Sequence, residues 1–172
     1  MNTTLYTHQK STLVHSGHCT TPWGWAILEY QSNKVFRLEF LGGKRYPAHP
    51  NLIADPQCQK TVDHLFKNPT EFVFNPQGTS FQQSVWRALQ AIPYGSLSTY
   101  QEIAQSIGKP QSVRAVANAI GANPICIFIP CHRVVRSDGK IGGYSSGNGA
   151  SLKRELLLAE GINLPSEDPS YE

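Results

Sequence analysis

Cys131 and His132 are the residues of this chain whose types and spacing most directly suggest chemistry. They follow the apolar run 125–129, predicted as a short buried strand that ends at Pro130. A thiol becomes a strong nucleophile only as its thiolate, and a neighbouring imidazole or a cation such as Arg133 favours that form. Adjacent side chains of an extended chain point in opposite directions, so a water relay between Cys131 and His132 is easier to build than a direct hydrogen bond. In isolation, a Cys-His dipeptide is more often structural than catalytic.

The remaining cysteines and histidines favour ordinary packing or surface roles over metal binding. The four cysteines of the chain are too scattered for a disulfide scaffold, and no pair has the tight spacing of a zinc knuckle. The candidate metal ligands form a loose N-terminal cluster: His15, His18, Cys19, Cys58 and His64. Because such loose spacing often arises by chance, we interpret these histidines as surface residues rather than as metal ligands.

Charge is unevenly distributed along the 172 residues, whose formal net charge is +3. Residues 81–154 hold eight basic and two acidic residues, a balance of +6, whereas residues 155–172 hold five acids and no Lys or Arg. A basic middle followed by an acidic tail fits binding to a polyanion, although solvated basic faces are also common. No apolar stretch approaches the roughly 18 residues of a membrane helix, and residues 1–10 lack a signal-peptide core. We therefore expect a cytoplasmic protein with no membrane partner.

The elements that must position Cys131 divide the chain into two parts. In the first, residues 26–28 and 35–41 predict two strands around a turn, and Asp55-Pro56 opens a helix that Asn68-Pro69 ends. Residues 71–74 predict a further strand. The loop 75–78 (Asn-Pro-Gln-Gly) is the candidate domain boundary.

After residue 78 the pattern becomes helical. Ser80 with Gln83, and Ser98 with Gln101, form capping-box patterns that open two helices. A third helix is predicted over residues 111–120, directly after the second. Two short helices joined by a tight glycine-containing turn match a helix-turn-helix, but a plain helical hairpin inside a core fits the same pattern equally well.

The outward face of the helix over 111–120 distinguishes these alternatives. Its inward side holds Val113, Val116 and Ile120. Its outward side is predicted to hold one arginine among small residues: Arg114, Ala115, Asn118 and Ala119. A helix that reads the major groove usually projects several long polar side chains. This face instead favours close approach to the minor groove of DNA, with recognition of shape or damage.

The segment Pro130-Cys131-His132-Arg133-Val134 resembles the active-site signature of the O6-alkylguanine-DNA alkyltransferases. Further similar motifs occur in the expected order over about residues 81–161: Ile92-Pro93-Tyr94-Gly95, Ser98-Thr99-Tyr100, Val113-Arg114-Ala115-Val116, Ala122-Asn123-Pro124, Gly142-Gly143-Tyr144-Ser145-Ser146-Gly147, Lys153, and Leu157-Leu158-Ala159-Glu160-Gly161. The N-terminal half resembles the variable domain of that family only loosely, through Pro22-Trp23-Gly24 and the hairpin after it.

The resemblance implies a mixed α/β (α+β) fold. A ribonuclease-H-like sheet domain would cover residues 1–78, and a mainly helical, winged-helix-like domain with the helix-turn-helix would cover residues 79–163. Residues 164–172 would form an acidic tail. Double-stranded DNA would be the partner, and the protein would be a monomer.

The activity that the resemblance implies is DNA repair by irreversible, stoichiometric transfer of the alkyl group from O6-alkylguanine to Cys131. The lesion O4-alkylthymine is an alternative substrate. His132 would take the thiol proton through a water, Glu160 would orient His132, and Asn123 would hold the turn before Cys131. No cofactor is implied.

The resemblance also assigns residues that contact DNA and the extruded base. Arg114 would fill the gap left in the duplex, and Tyr100 would crowd the phosphate so that the nucleotide rotates outward. The other DNA-contacting residues would be Ala115, Asn118 and Ala119. The pocket for the base would be formed by Tyr100, Val134, Tyr144 and Ser145, with Tyr144 and the backbone near Ser145 donating hydrogen bonds to O6. The structural alternative for Tyr144 is packing under a glycine-rich loop.

Two departures from the family and two other function classes need to be weighed. The N-terminal half has no convincing counterpart of the zinc ligands that some relatives carry there, so we predict no metal. The stretch Ser145 to Gly149 is slightly longer than is typical, which could change the width of the pocket. A damage-binding module without transfer would lack the acceptor cysteine, whereas Cys131 and Glu160 are both present. A cysteine hydrolase would need a base in direct reach of the thiol and would leave the helix-turn-helix unexplained.

Overall fold

The N-terminal half is built on a four-stranded sheet. The computed structural model describes residues 13–42 and 51–165. β1 (His15–Thr21), β2 (Gly24–Gln31) and β3 (Lys34–Phe40) pair antiparallel in that order, and β4 (Val73–Phe74) joins β3 in parallel. α1 (Pro56–Lys67) packs on β1 through its apolar face. A short 3₁₀ turn, Pro69–Glu71, connects α1 to β4.

Two predicted strands and the first predicted helix are confirmed. Asp55 caps α1 as the sequence indicates, because its carboxylate accepts from the backbone N–H groups of Gln57 and Cys58 at 3.0 and 2.8 Å. β1 was not predicted. Its residues are mostly polar or small and only Cys19 is fully buried, so the alternation typical of a strand is weak. β4 is shorter than residues 71–74, because Pro69 starts a 3₁₀ turn that runs to Glu71.

The C-terminal half is mainly helical. Its helices are α2 (Ser80–Gln90), α3 (Tyr100–Ser106), α4 (Val113–Gly121) and α5 (Ala150–Ala159). α2, α3 and α4 pack against one another, and the indole Nε1 of Trp86 ties α2 to α4 by donating to the carbonyl of Ala119 at 2.8 Å. Two short strands, β5 (Ser98–Thr99) and β6 (Val134–Val135), pair in parallel beside them.

Each capping box lies one residue away from its predicted position, the first one residue earlier and the second one residue later. Thr79 with Gln82 caps α2, and Thr99 with Glu102 caps α3, so the predicted pairs Ser80–Gln83 and Ser98–Gln101 are wrong. The reason is local: each pair of adjacent hydroxyl residues offers two possible caps. The helix begins where the backbone turns from extended to helical, and in both cases the threonine has the extended conformation.

The predicted buried strand over residues 125–129 is also wrong. Only Ile125 makes a bridge, to Leu38 of β3, and the chain then folds back on itself. The N–H of Phe128 donates to the carbonyl of Cys126, and Ile127 has a positive φ of 72°. The run is apolar because it is buried by packing, and burial alone does not distinguish a strand from a turn.

β3 joins the two halves through backbone hydrogen bonds. The Leu38 N–H donates to the Pro124 carbonyl at 2.9 Å, and the Cys126 N–H donates to the Leu38 carbonyl at 2.8 Å. One cluster of buried apolar residues runs through both halves. The loop that precedes Cys131 is therefore fastened directly to the N-terminal sheet.

Two sequence features lie wholly or partly outside the described residues. The polar residues 1–10 lie outside, as do residues 166–172 of the acidic tail. Among residues 13–42 and 51–165, none of the helices combines the length and the apolar character needed to cross a membrane.

Candidate active site

Asn123 holds the turn between α4 and the candidate nucleophile. The side chain is buried; its Nδ2 donates to the Ile129 carbonyl at 2.7 Å, and its Oδ1 accepts from the Ile125 N–H at 3.0 Å. One amide thus ties both ends of the loop over residues 124–130. This agrees with the role expected of Asn123, and it fixes Pro130 and Cys131 close to the end of α4.

Cys131 begins a 3₁₀ turn, Cys131–Arg133, and is 6% exposed. The pKa of its thiol is lowered to about 7. Hydrogen bonding from Cys126 is the largest cause, and it is supported by Asn123, by Tyr144 and by the positive charge of Lys153, which together outweigh the effect of burial. The Tyr144 hydroxyl is buried and has no hydrogen-bond partner at standard distances and angles among the described residues. It is nevertheless one of the groups that lower the pKa of the Cys131 thiol.

A cavity of about 660 Å³ opens onto Cys131. Its volume falls within the usual range of small-molecule sites, about 300–1,000 Å³. The lining includes four other residues that the sequence assigned to the site: Tyr100, Asn118, Tyr144 and Ser145. The structure thus brings together the predicted acceptor, pocket residues and one residue of the predicted DNA-binding helix.

Backbone geometry shapes the wall of this cavity beside Tyr100. Gly142 has a φ of +74°, and a Cβ at this position would lie 3.2 Å from the Tyr100 hydroxyl oxygen. Only glycine fits both requirements without strain. The Ser145 hydroxyl, which also lies at the cavity, donates to the Gly121 carbonyl at 2.7 Å.

Val134 differs from the other predicted pocket residues. Its side chain is fully buried, and it is not among the residues that line the cavity. Its carbonyl accepts a hydrogen bond from the Lys153 ammonium at 2.6 Å.

His132 and Glu160 form the expected contact. Nε2 of His132 lies 2.6 Å from Oε1 of Glu160, and the imidazole is 1% exposed. Burial lowers the pKa of His132 despite the nearby carboxylate. Burial would raise the pKa of Glu160, but hydrogen bonds from Arg133 and His132 reverse this effect and lower it. The pair is therefore a neutral imidazole that donates from Nε2–H to an ionised carboxylate.

Arg133 holds Glu160 in place and was not singled out as a site residue from the sequence. Its guanidinium makes three hydrogen bonds of 2.9–3.1 Å to the two carboxylate oxygens. A fourth, from Nη1, goes to the Ile92 carbonyl at 2.7 Å, and the Gly95 N–H also donates to Glu160. The only signal in the sequence was the position of Arg133 next to His132.

Lys153 is a second residue whose position the sequence did not reveal. It lies on the buried face of α5 with no exposed area, and its ammonium donates to the carbonyls of Val134 and Gly143 at 2.6 and 3.3 Å. Burial lowers the pKa of Lys153 to about 8, and the negative charge of Cys131 opposes this shift. A lysine among the apolar positions of α5, beside Leu152, Leu156 and Leu157, was the available signal.

The outer face of α4 matches the sequence prediction except at one position. Arg114, Ala115 and Asn118 are exposed as expected. Ala119 is buried, so its predicted outward orientation is wrong. With Val116 and Ile120 it forms the i, i+3, i+4 face that packs on the core, and its carbonyl accepts from Trp86.

The N-terminal histidines and cysteines do not form a metal cluster in the part of the chain that the structure describes. No group of three or more His, Cys, Asp or Glu side chains there could hold a metal ion. Cys19 and Cys58 are buried as free thiols between β1 and α1, and His64 pairs with Glu71 at 2.8 Å.

Known proteins share this sequence and this fold. Residues 80–162 match the family model described as the DNA-binding domain of 6-O-methylguanine DNA methyltransferase. The chain is 58% identical over 152 residues to the methylated-DNA–protein-cysteine methyltransferase of Methanosarcina barkeri, which covers 84% of this chain and 95% of that protein. It is 50% identical over 162 residues to the protein of the same name from Mycobacterium tuberculosis, covering 90% and 97% of the two chains.

A crystal structure of Mycobacterium tuberculosis OGT in complex with DNA superimposes with a TM-score of 0.70 and 38% identity, and it covers 86% of this chain and 93% of that chain. The agreement with these proteins runs through nearly the full length of both chains and includes the segment that carries Cys131. The chain therefore belongs to the methylated-DNA–protein-cysteine methyltransferase family.

Proposed function

We propose that this protein repairs alkylated DNA by moving the alkyl group of O6-alkylguanine onto Cys131 in a single, irreversible event. The observation that carries the proposal is a thiol with a pKa of about 7 that opens into a cavity beside a DNA-binding helix. Near neutral pH about half of such a thiol is thiolate, which is the nucleophilic form. O4-alkylthymine is a second candidate lesion.

The transfer needs no group other than the protein and the damaged base. The Cys131 sulfur attacks the alkyl carbon, the S–C bond forms, and the C–O6 bond breaks with its electrons moving to the guanine. The base takes up one proton and becomes ordinary guanine. Hydrogen bonds from the Tyr144 hydroxyl and the Ser145 backbone N–H would stabilise the negative charge that develops on O6. The thioether is a poor leaving group, so each molecule acts once.

His132 is the proposed base that takes the thiol proton through a water. Because Nε2–H donates to Glu160, the unprotonated nitrogen is Nδ1, which is buried and has no hydrogen-bond partner among the described residues. The lowered pKa of His132 keeps the ring neutral and able to accept. Glu160 and Arg133 act as positioning residues, because both hold the imidazole rather than touch the alkylated base.

The base must leave the duplex to reach Cys131, because a stacked and paired guanine does not expose O6 to a thiol that is 6% exposed. We propose that the outer face of α4 lies in the minor groove and that Arg114 enters the duplex. The small Ala115 and the short Asn118 permit close approach of the helix backbone. Tyr100 would crowd the phosphate from the edge of the cavity.

Several finer features of the proposal come from the family resemblance. They comprise a ribonuclease-H-like domain over residues 1–78, a winged-helix-like domain over residues 79–163, a monomeric state and a cytoplasmic location. The continuous backbone pairing of β3 with residues 124–126 supports a tight association of the two proposed domains.

The proposal is tested by incubating the protein with duplex DNA that contains O6-methylguanine. Mass spectrometry of the digested protein should find one methyl group on the peptide that contains Cys131, and the Cys131→Ser variant should take up none. A damage-binding module would bind the DNA and stay unmethylated. A hydrolase would turn over many equivalents of an ester or amide substrate. Methyl uptake that is equal in wild type and Cys131→Ser would refute the proposed acceptor.

The base-flipping role of Arg114 requires a separate experiment. Arg114→Ala should slow transfer from duplex DNA by roughly tenfold or more, since the cost of unstacking amounts to a few kcal/mol, and should leave reaction with free O6-benzylguanine nearly unchanged. Arg87→Ala, also an exposed arginine of the C-terminal half, is the matched control. Equal losses on duplex DNA and on the free base would rule out this role.

A further inference from the structure

Arg136 is the one Lys, Arg, Asp or Glu among the described residues that line the cavity of Cys131, and the transfer reaction described above does not use it. Its side chain is 57% exposed, so the guanidinium lies at the mouth of the cavity rather than at its base. A guanine base carries no net charge, whereas the phosphates on either side of its nucleotide are anionic. A cation at the mouth therefore matches those phosphates rather than the base.

The pairing of β5 with β6 places Arg136 beside Tyr100. The two strands run in parallel with Thr99 opposite Val135, so the residues that follow, Tyr100 and Arg136, leave the same end of the pair. Gly142 is close to both side chains, because a Cβ there would lie 3.2 Å from the Tyr100 hydroxyl oxygen and 3.4 Å from the Arg136 Cγ. Burial raises the pKa of Tyr100, and the positive charge of Arg136 opposes that rise. The residue proposed to crowd the phosphate thus has a guanidinium as its neighbour.

A tight turn over residues 136–140 presents this guanidinium. The Arg136 N–H donates to the Lys140 carbonyl at 3.0 Å, and the Gly139 N–H donates to the Arg136 carbonyl at 3.0 Å. Gly139 has a φ of +81°, which suits glycine. The Asp138 carboxylate joins the backbone to the side chain: its Oδ1 accepts from the Lys140 N–H at 3.1 Å, and its Oδ2 accepts from Nη2 of Arg136 at 2.9 Å.

The ion pair between Arg136 and Asp138 is suited to exchange. The side chains of both residues are exposed, by 57% and 43%. Exposed ion pairs contribute little to stability, because water solvates both partners and ordering two side chains costs entropy. A guanidinium binds phosphate as it binds carboxylate, through charge-assisted hydrogen bonds from its planar N–H groups. A DNA phosphate can therefore take the place of the Asp138 Oδ2 while Oδ1 still holds the turn.

We propose that Arg136 binds a phosphodiester that flanks the extruded nucleotide, and that Asp138 competes with this phosphate for the guanidinium when no lesion is bound. The inference deepens the proposed function, since it rests on the base entering the cavity of Cys131. The phosphate gains Arg136 only when its base occupies the cavity, so the contact favours the extruded nucleotide over the stacked one.

The test compares methyl transfer from duplexes that contain O6-methylguanine and differ in one charge. One duplex has ordinary phosphates, and two others carry a neutral methylphosphonate at the linkage on the 3′ or the 5′ side of the lesion. Arg136→Met keeps the aliphatic stem beside Gly142 and removes the guanidinium. On the ordinary duplex, at sub-saturating DNA, it should slow transfer by about tenfold, the effect of one charge-assisted hydrogen bond. On one of the two methylphosphonate duplexes, wild type and Arg136→Met should react at the same rate.

Two further variants and a substrate without phosphate complete the test. Lys140→Met removes an exposed cation of the same turn that is not among the residues lining the cavity, and its effect should be the same on all three duplexes. Asp138→Asn removes the competing charge but keeps an oxygen for the Lys140 N–H, so transfer from the ordinary duplex should become faster. That gain should disappear when Arg136→Met is also present. Reaction with free O6-benzylguanine should be nearly unchanged in Arg136→Met, because the free base has no phosphate.

The inference is overturned if Arg136→Met reacts like wild type on the ordinary duplex, if it slows the free base as much as the duplex, or if its loss persists on both methylphosphonate duplexes. A gain from Asp138→Asn that is equal with and without Arg136 would refute the competition. Affinities for the same duplexes are measured in parallel on the Cys131→Ser background. Dependence of these affinities on Arg136 at one linkage, with no methyl uptake by wild type, would refute the proposed function and uphold the role of Arg136. Methyl uptake without that dependence would refute the role of Arg136 alone.

Discussion

The protein contains two buried pairs of cysteines whose surroundings have opposite effects on their thiols. Cys19 and Cys58 lie between β1 and α1, with pKa values raised to about 12 and about 11. Burial is the largest cause for both, and the carboxylates of Asp63 and Asp55 add to it. In the second pair, Cys126 is likewise kept protonated, but the pKa of Cys131 falls to about 7.

The difference follows from the groups around each thiol, because burial raises the pKa of Cys19 and Cys58, whereas hydrogen-bond donors and a cation lower the pKa of Cys131. Among the described residues, the thiols of Cys19 and Cys58 donate to the carbonyls of Ala26 and Leu28 at 3.6 and 4.0 Å and lie near carboxylates. The pKa of Cys131 is lowered by hydrogen bonding from Cys126 and Asn123 and by the positive charge of Lys153. The same side-chain type thus packs a core in one half of the molecule and is a proposed reagent in the other.

The largest effect expected from this difference is in the rate of thiol labelling. At pH 7 the thiolate fraction of Cys131 should exceed that of Cys19 or Cys58 by roughly 10⁴, given the separation of their pKa values. Native protein treated briefly with iodoacetamide should therefore carry label on the Cys131 peptide, and the other peptides should react only after unfolding in denaturant. Labelling of Cys58 at a rate similar to that of Cys131 would contradict the expected difference in reactivity between the two pairs of cysteines.

The next effect is on the pH dependence of stability. Between pH 7 and pH 9 folded Cys131 has lost its proton while the unfolded chain still holds it, so the free energy of unfolding rises with pH by about 2 kcal/mol. Above pH 9 folded Cys19 and Cys58 keep protons that the unfolded chain has lost, and stability falls. Urea unfolding of wild type and Cys131→Ala at pH 6.5, 9 and 10 checks both signs. The variant should lose the part of the rise that comes from Cys131, keep the part that comes from the lowered pKa of Lys153, and keep the fall.

The sequence motifs were sufficient to predict the residues proposed to carry out alkyl transfer, but not the groups that shift the pKa of Cys131. Cys131, His132 and Glu160 follow from the family resemblance, and the predicted His132–Glu160 contact is present at 2.6 Å. The burial of Lys153 did not follow, because a lysine on an amphipathic helix usually extends its ammonium to water. The reversal of the chain over residues 125–129 did not follow either, because the apolar run of this segment predicted a strand.

The fold was predictable to a similar extent. Strong periodicity and capping residues located α1 to α4, whereas β1 was missed because its polar residues lack alternation. Each capping box was misplaced by one residue, because two adjacent hydroxyl residues can each cap the helix, and the sequence does not show at which of them the backbone turns from extended to helical.

Substitutions that remove a single charge should have the smallest effects on thiol labelling. They distinguish the effect of a neighbouring charge on the thiol pKa from the effect of burial. Lys153→Met removes the cation that faces Cys131, and labelling of Cys131 at pH 7 should fall by about fivefold, because the charge is only one of several causes of the lowered pKa. Lys109→Met, at an exposed position, is the control and should have no effect.

Removal of a negative charge near Cys19 tests the N-terminal pair of cysteines, Cys19 and Cys58. Asp63→Asn removes a carboxylate that raises the pKa of Cys19, but burial is the larger cause and stays in place. Cys19 should therefore still resist iodoacetamide in the native protein. If Asp63→Asn made Cys19 reactive, the neighbouring negative charge rather than burial would be the main cause of the low reactivity of the N-terminal thiols. In that case the contrast with Cys131 would come from the sign of the neighbouring charges and not from the donors that surround its sulfur.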